Sequence, residues 1–153
     1  MSDPVYISVI GTGEASAEQY EIARKVGHLI AERGGIVICG GRGGVMEAVA
    51  RGAAEAGGVA IGLLPDEDRR QANPYLTYSL VTGIGQARNL TVACSGDAVI
   101  AVGGGYGTLS EIGLARRFER SVISLDSWDL AGHVTASESP AGAVEEAFAL
   151  AGS

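Results

Sequence analysis

The sequence predicts an α/β fold: a doubly wound, mostly parallel sheet covered by helices on both faces. Three observations predict it. Short apolar runs without polar alternation recur along the chain, as buried parallel strands do. Between them lie stretches with apolar residues at helical spacing. Finally, 24 of the 153 residues are glycine, gathered just after the apolar runs rather than spread in periodic or low-complexity tracts.

Taken in order, Val5 to Ile10 (VYISVI) reads as the first strand, and Gly11-Thr12-Gly13 comes next. Residues 17–33 carry Ile22, Ala23, Val26, Leu29 and Ile30 on one helical stripe, which Gly34-Gly35 ends. Ile36 to Cys39 is a second strand, followed by Gly40-Gly41-Arg42-Gly43-Gly44 and a helix from Val45 to Ala56. Val59 to Leu64 is a third strand. Pro65 to Tyr75 (PDEDRRQANPY) is polar and bounded by prolines, the pattern of a mobile loop over a ligand face. Leu76 to Val81 is a short fourth strand and Gln86 to Ser95 a helix. Asp97 to Val102 is a fifth strand, the most clearly buried. A third glycine cluster leads into a helix over Thr108 to Arg117. Val122 to Leu125 is a sixth strand, and Ala141 to Leu150 a last helix with Val144, Ala147 and Phe148 on one face. Alternation of this kind implies right-handed crossovers and a Rossmann-like sandwich, read as a single domain over residues 1–153. Ligands of such folds sit at the carboxyl ends of the strands, where every glycine cluster falls.

The bulk numbers narrow the function. Apolar residues make up 46% and charged residues 19%, so the chain is not disordered. The net charge of −7 argues against a nucleic-acid partner, which needs a broad basic face; Arg69-Arg70 and Arg116-Arg117-Arg120 are the only basic clusters. One phosphate needs only a local nest of N–H groups. Cys39 and Cys94 form no CxxC, the usage of a reduced, cytoplasmic protein, and both read as small packing residues. His28 and His133 are too isolated for a metal site, and none is expected; His28 reads as a helix-surface residue. No apolar run reaches the roughly 18 residues of a membrane span, and Met1-Ser2-Asp3-Pro4 lacks the basic start of a secretory signal.

Each glycine turn offers different chemistry. Gly11-Thr12-Gly13-Glu14-Ala15-Ser16 resembles G-x-G-x-x-G with Ser in third place. The acidic residue that would hold a dinucleotide's ribose should end the second strand, where Gly40-Gly41 stand instead, so the usual NAD or FAD mode is not expected. Gly40, Gly41, Gly43 and Gly44 allow close approach of a ligand, and the turn lacks the G-K-[ST] ending of a P-loop. Gly103-Gly104-Gly105-Tyr106-Gly107-Thr108 runs from strand to helix, aiming free N–H groups and the positive end of a helix dipole at an anion. Gly104, Gly105, Tyr106, Gly107 and Thr108 are the candidate phosphate contacts, with Gly11, Gly13 and the second turn beside them. Thr108 can add a hydroxyl, and Ser110 is a weaker candidate for the same task. Glu111 falls about one turn into that helix, where a carboxylate near a bound anion suggests a chemical task, although the helix dipole also favours it.

The segment GGGYGTLSE resembles the PGGYGTLEE signature of the LOG family of nucleotide phosphoribohydrolases, often mislabelled lysine decarboxylases. Gly40 to Met46 resembles that family's GGG-x-x-G-[LV]-M segment, and Arg88, nine residues before Asp97-Ala98, matches its helix arginine. The lysine decarboxylase label fails, because the only lysine, Lys25, lies on a helix far from any glycine turn and a pyridoxal enzyme needs a Schiff-base lysine. The chain departs from the family pattern at Gly103 for Pro, Asn89 for Lys, Ser110 for Glu and Gly85 for Met. These departures resemble a sister branch of short proteins that includes molybdenum-cofactor carriers.

Two functions are implied. As an enzyme, the chain would hold a nucleoside 5′-monophosphate on Gly104 to Thr108 and hydrolyse its N-glycosidic bond; the resemblance implies Glu111 and Arg88 as catalytic, and no cofactor. As a binding module it would carry a phosphorylated pterin, the molybdenum cofactor, without breaking a bond. The base pocket is expected from the first glycine turn and the 65–75 loop. A homodimer is implied by the resemblance alone, and the small Ala87, Ala93 and Ser95 would permit close packing. Tyr106 could stack on a base, cover the phosphate or pack in that interface.

Overall fold

The computed structural model describes residues 3–152. Met1 and Ser2, half of the segment read for a secretory signal, lie outside the described residues, as does Ser153. In chain order the elements are β1 (Tyr6–Gly11), α1 (Ala17–Glu32), β2 (Ile36–Cys39), α2 (Val45–Glu55), β3 (Val59–Leu64) and β4 (Tyr78–Val81). A single 3₁₀ turn (Gly85–Ala87) leads into α3 (Arg88–Ser95), then β5 (Ala98–Val102), α4 (Tyr106–Arg117), β6 (Ser121–Leu125), β7 (Thr135–Ser137) and α5 (Pro140–Ala151).

The seven strands form one sheet in the order β4-β3-β2-β1-β5-β6-β7, every neighbouring pair parallel. Winding therefore reverses between β1 and β5: Ser8 lies opposite Ile38 on one side and Val99 on the other. The expected doubly wound α/β fold is the observed one.

Side-chain alternation builds both cores from the same strands. Ala98, Ile100 and Val102 of β5 face α1, α2 and α5, while Val99 and Ala101 face α3 and α4. Each fully buried Ile or Val removes enough apolar surface from water to contribute roughly 1.5–3 kcal/mol. Ser8 is the exception inside β1: fully buried, its Oγ donates to the Val92 carbonyl at 2.6 Å and ties β1 to α3. Arg120 performs a similar task, donating to the Cys94 carbonyl at 3.1 Å and the Gly96 carbonyl at 3.1 Å, where α3 ends. His28 lies on the surface of α1, 3.0 Å from Glu32.

Several boundaries differ from the expectations. The helix expected from Gln86 begins as a 3₁₀ turn, because Gly85 has φ +61° and the α-helix starts only at Arg88. The helix expected from Thr108 starts two residues earlier, at Tyr106. β7 (TAS) has no apolar run to announce it, since it is a mostly exposed edge strand. β4 is likewise an edge strand, with Tyr78, Leu80 and Val81 exposed rather than covered on both faces.

Helices α1 and α2 approach closely through two glycines. A Cβ on Gly27 would collide with the Val49 carbonyl, and one on Gly52 with the Arg24 carbonyl. Gly52→Ala must therefore push backbone against backbone, an overpacking cost of typically 1–3 kcal/mol. Expected is a thermal midpoint lower by about 3–10 °C, whereas Gly113→Ala, on the open face of α4, should raise stability by up to about 1 kcal/mol. An unchanged midpoint for Gly52→Ala, read by circular dichroism, would contradict the tight crossing.

Candidate functional site

Three helices begin near the reversal between β1 and β5, and their N-termini differ. α1 closes its own: the Ser16 hydroxyl accepts from Gln19 N–H at 3.1 Å and the Gln19 side chain accepts from Ser16 N–H at 3.0 Å. α2 has no side-chain cap, but its Val45 N–H donates to the Thr12 carbonyl at 3.0 Å, which joins the first and second glycine turns. α4 has Gly105 at its N-cap and no side-chain cap; its first internal bond runs from Leu109 N–H to the Gly105 carbonyl at 3.0 Å. The N–H groups of Tyr106, Gly107 and Thr108 therefore have no protein acceptor among the described residues. No side chain crowds Gly105 or Gly107, and both face a cleft of about 550 Å³.

Of the residues singled out in the sequence, Gly11, Gly13, Gly40, Gly43, Arg88, Gly105, Gly107, Thr108 and Glu111 line that one cleft. Gly41, Gly44, Gly104 and Tyr106 do not. Gly41 turns toward Leu64, Gly44 packs on Thr12 and Gly13, and Gly104 lies against the Thr108 side chain. Tyr106 is 83% exposed, its ring 6.0 Å from that of Trp128. Ser110 donates back to the Gly107 carbonyl at 2.7 Å, inside its own helix, instead of serving the cleft.

Arg88 opens α3 and is almost wholly buried. Its Nη2 donates to the Gly40 carbonyl at 3.3 Å and lies 3.9 Å from the Met46 sulfur, while Nη1 donates to Asn89 Oδ1; Nε has no partner. Gly40 makes room for this guanidinium, since a Cβ there would lie 2.8 Å from Arg88 Nη2. Burial lowers the Arg88 pKa, with nearby Glu111 working the other way.

Glu111 projects from α4 into the same cleft, 9% exposed, with no hydrogen-bond or ion-pair partner among the described residues. Burial raises its pKa to about 7, and the Arg88 charge offsets only part of that. Near neutral pH such a carboxyl can both hold and release a proton.

Other features of the site gave no motif signal. After β6, the Ser127 hydroxyl donates to the Gly103 carbonyl at 2.5 Å and the Trp128 indole to the Gly105 carbonyl at 3.0 Å, bracing the glycine loop from behind. A lone tryptophan just beyond a strand's carboxyl end was the available cue. The 65–75 loop is not free over the cleft. Asn73, buried, donates from its backbone to the Gly41 carbonyl at 2.9 Å and from Nδ2 to the Arg42 carbonyl at 3.0 Å. That loop lines a separate depression with Gly83, so the far wall of the cleft is Glu14, Arg42, Met46, Gln86 and Asn89 instead. Among the described residues no three His, Cys, Asp or Glu side chains are gathered where a metal ion could sit, and no helix is long and apolar enough to cross a membrane.

A model of the SLOG cluster4 family matches residues 4–150. The chain belongs to the SLOG cluster4 family. An uncharacterized protein of Archaeoglobus fulgidus is 48% identical over 119 residues, 78% of either chain. Among solved structures, the molybdenum cofactor binding protein of the phototrophic bacterium Rippkaea orientalis is similar at a TM-score of 0.92 with 35% identity, covering 98% of this chain and 99% of that one. The molybdenum cofactor carrier protein of Chlamydomonas reinhardtii gives a TM-score of 0.85 with 32% identity, covering 99% and 100%. The family resemblance read from the glycine motifs thus holds over the whole fold.

The raised pKa of Glu111 makes a stability prediction. Between about pH 4.5 and about pH 7 the unfolded chain ionises this group while the folded chain keeps it protonated. The folded state therefore loses stability on rising through that window, by on the order of 3 kcal/mol. Urea denaturation of wild type and Glu111→Gln at pH 5 and pH 8 should show wild type losing more between the two pH values. Equal losses would mean that Glu111 ionises freely in the folded protein.

Proposed function

We propose that this protein binds the molybdenum cofactor, a phosphorylated pterin, and carries it intact. The observation that carries the reading is the uncapped N-terminus of α4, where Gly107 and Thr108, with free N–H groups, line the crevice beside β1, where folds of this class take their ligands. The phosphate lies on Gly107 and Thr108 N–H, with the Thr108 hydroxyl beside it. The pterin extends along the first two glycine turns, near Arg88 and Met46. A cleft of about 550 Å³ suits a ligand of that size. The full-length likeness to two cofactor-binding proteins supports carriage over cleavage.

Glycosidic hydrolysis is the second reading, favoured by one observation: the buried, unpartnered Glu111 carboxyl beside Arg88. A nucleoside monophosphate whose phosphate lies on α4 would place its ribose over Glu111, which would stabilise an oxocarbenium-like transition state and orient the attacking water.

Titration with molybdenum cofactor should give stoichiometric binding, tighter than for AMP. Gly107→Asp, which sets a carboxylate in open space where the phosphate belongs, should weaken it about tenfold or more with an unchanged thermal midpoint. Cofactor held no tighter than AMP would sink the carrier reading. Incubation with a panel of nucleoside 5′-monophosphates separates the two readings: release of free base, abolished by Glu111→Gln while nucleotide binding persists, would establish hydrolysis, and release from none of them would end it.

A further inference from the structure

A carrier that breaks no bond leaves Glu111 without a task. The side chain is nine-tenths buried, lines the cleft, and has no hydrogen-bond or ion-pair partner among the described residues. It stands on α4 itself, the helix whose uncapped end offers Gly107 and Thr108 N–H to a phosphate. From Thr108 to Glu111 the helix rises only about 4.5 Å. Side chains on a helix lean toward its N-terminus and cover the residues three and four positions before them, here Thr108 and Gly107. The Glu111 carboxyl therefore leans toward the turn that takes the phosphate.

Ionised, that carboxylate would share a partly closed crevice with a phosphate dianion of like charge, which is unfavourable. Protonated, it can donate its O–H to a phosphate oxygen. The other charged side chains lining the cleft are Arg88 from α3, Arg42 from the second glycine turn and Glu14 from the first. Arg88 works against the burial of Glu111, yet leaves the carboxyl at about 7, so near neutral pH the proton is easily supplied. Near Arg88, burial pushes the Cys39 thiol up to about 11, well above that range.

We propose that Glu111 takes up a proton from solvent as the phosphate binds, so that ligand and proton enter the cleft together. The proton goes to a Glu111 carboxylate oxygen, and the resulting O–H donates to the phosphate. The inference rests on the reading that α4 takes the ligand's phosphate, and it adds the regulation of that site. Below about pH 7 the free protein already holds the proton, and Glu111 makes no difference to the pH dependence of binding. Above it the proton must be drawn from solvent, so the grip on the ligand loosens as pH rises.

Calorimetry with AMP between pH 7 and pH 9 tests the linkage, because a phosphate monoester, with its second pKa at about 6, is already a dianion there. Wild-type affinity should fall about tenfold across that range. At pH 7.5, titrations in two buffers of different ionisation enthalpy should show roughly half a proton or more taken up per AMP bound. Glu111→Gln should bind AMP equally well at both ends of the range and take up no proton. Replacing the chain's two histidines, His28→Gln with His133→Gln, should keep the uptake. No uptake in wild type, uptake that persists in Glu111→Gln, or its loss in the histidine variant overturns the inference and leaves the phosphate site standing. AMP that fails to bind wild type at any pH, or that binds Gly107→Asp as tightly as wild type, removes the α4 site and the inference with it.

Discussion

The reversal of winding between β1 and β5 is the constraint on which the rest of the molecule depends. Right-handed crossovers send α1 and α2 to one face and α3 and α4 to the other, so the carboxyl ends of β1 and β5 are left with no helix crossing between them. Everything polar in the site enters through that opening. The first glycine turn leaves β1, the third leaves β5, and Arg88 reaches in from beneath the second. A parallel sheet needs apolar strands buried on both sides, and that requirement leaves the loops and the helix ends that follow the strands as the place for chemistry.

How much of this was legible in the sequence depends on whether a feature is local. The buried strands announce themselves by composition, and the three glycine clusters by position, so the fold and the location of the cleft could be read directly. Arg88 and Glu111 were singled out separately by motif, and the fold brings them into one cavity. What escaped depends on partners distant in the chain. Trp128 and Ser127 brace a loop more than twenty residues upstream. Asn73 matters through the carbonyls of Gly41 and Arg42. β7 exists because β6 offers it an edge, not because Thr135–Ser137 has a strand composition. The early start of α4 was hidden for a different reason. Glycine and an exposed tyrosine are weak helix signals, and the buried Thr108, Glu111 and Ile112 one turn later hold the helix in place.

One departure from the family pattern acquires a physical meaning. Gly103 stands where the LOG signature has proline, and its φ is +57°, an angle that the proline ring cannot adopt. The entry to the loop therefore takes its own backbone path, with the Gln19 side chain packed where a Cβ would be. The loop is thus a variant in conformation as well as in sequence.

The hydrogen bond from Trp128 to the Gly105 carbonyl also has a practical side. The chain contains one tryptophan, and its indole donates to the residue at the N-cap of α4. Intrinsic fluorescence of this protein is therefore an optical report from a single place. Any change at that place can be followed in real time on the native polypeptide, without a dye and with no other indole to dilute the signal.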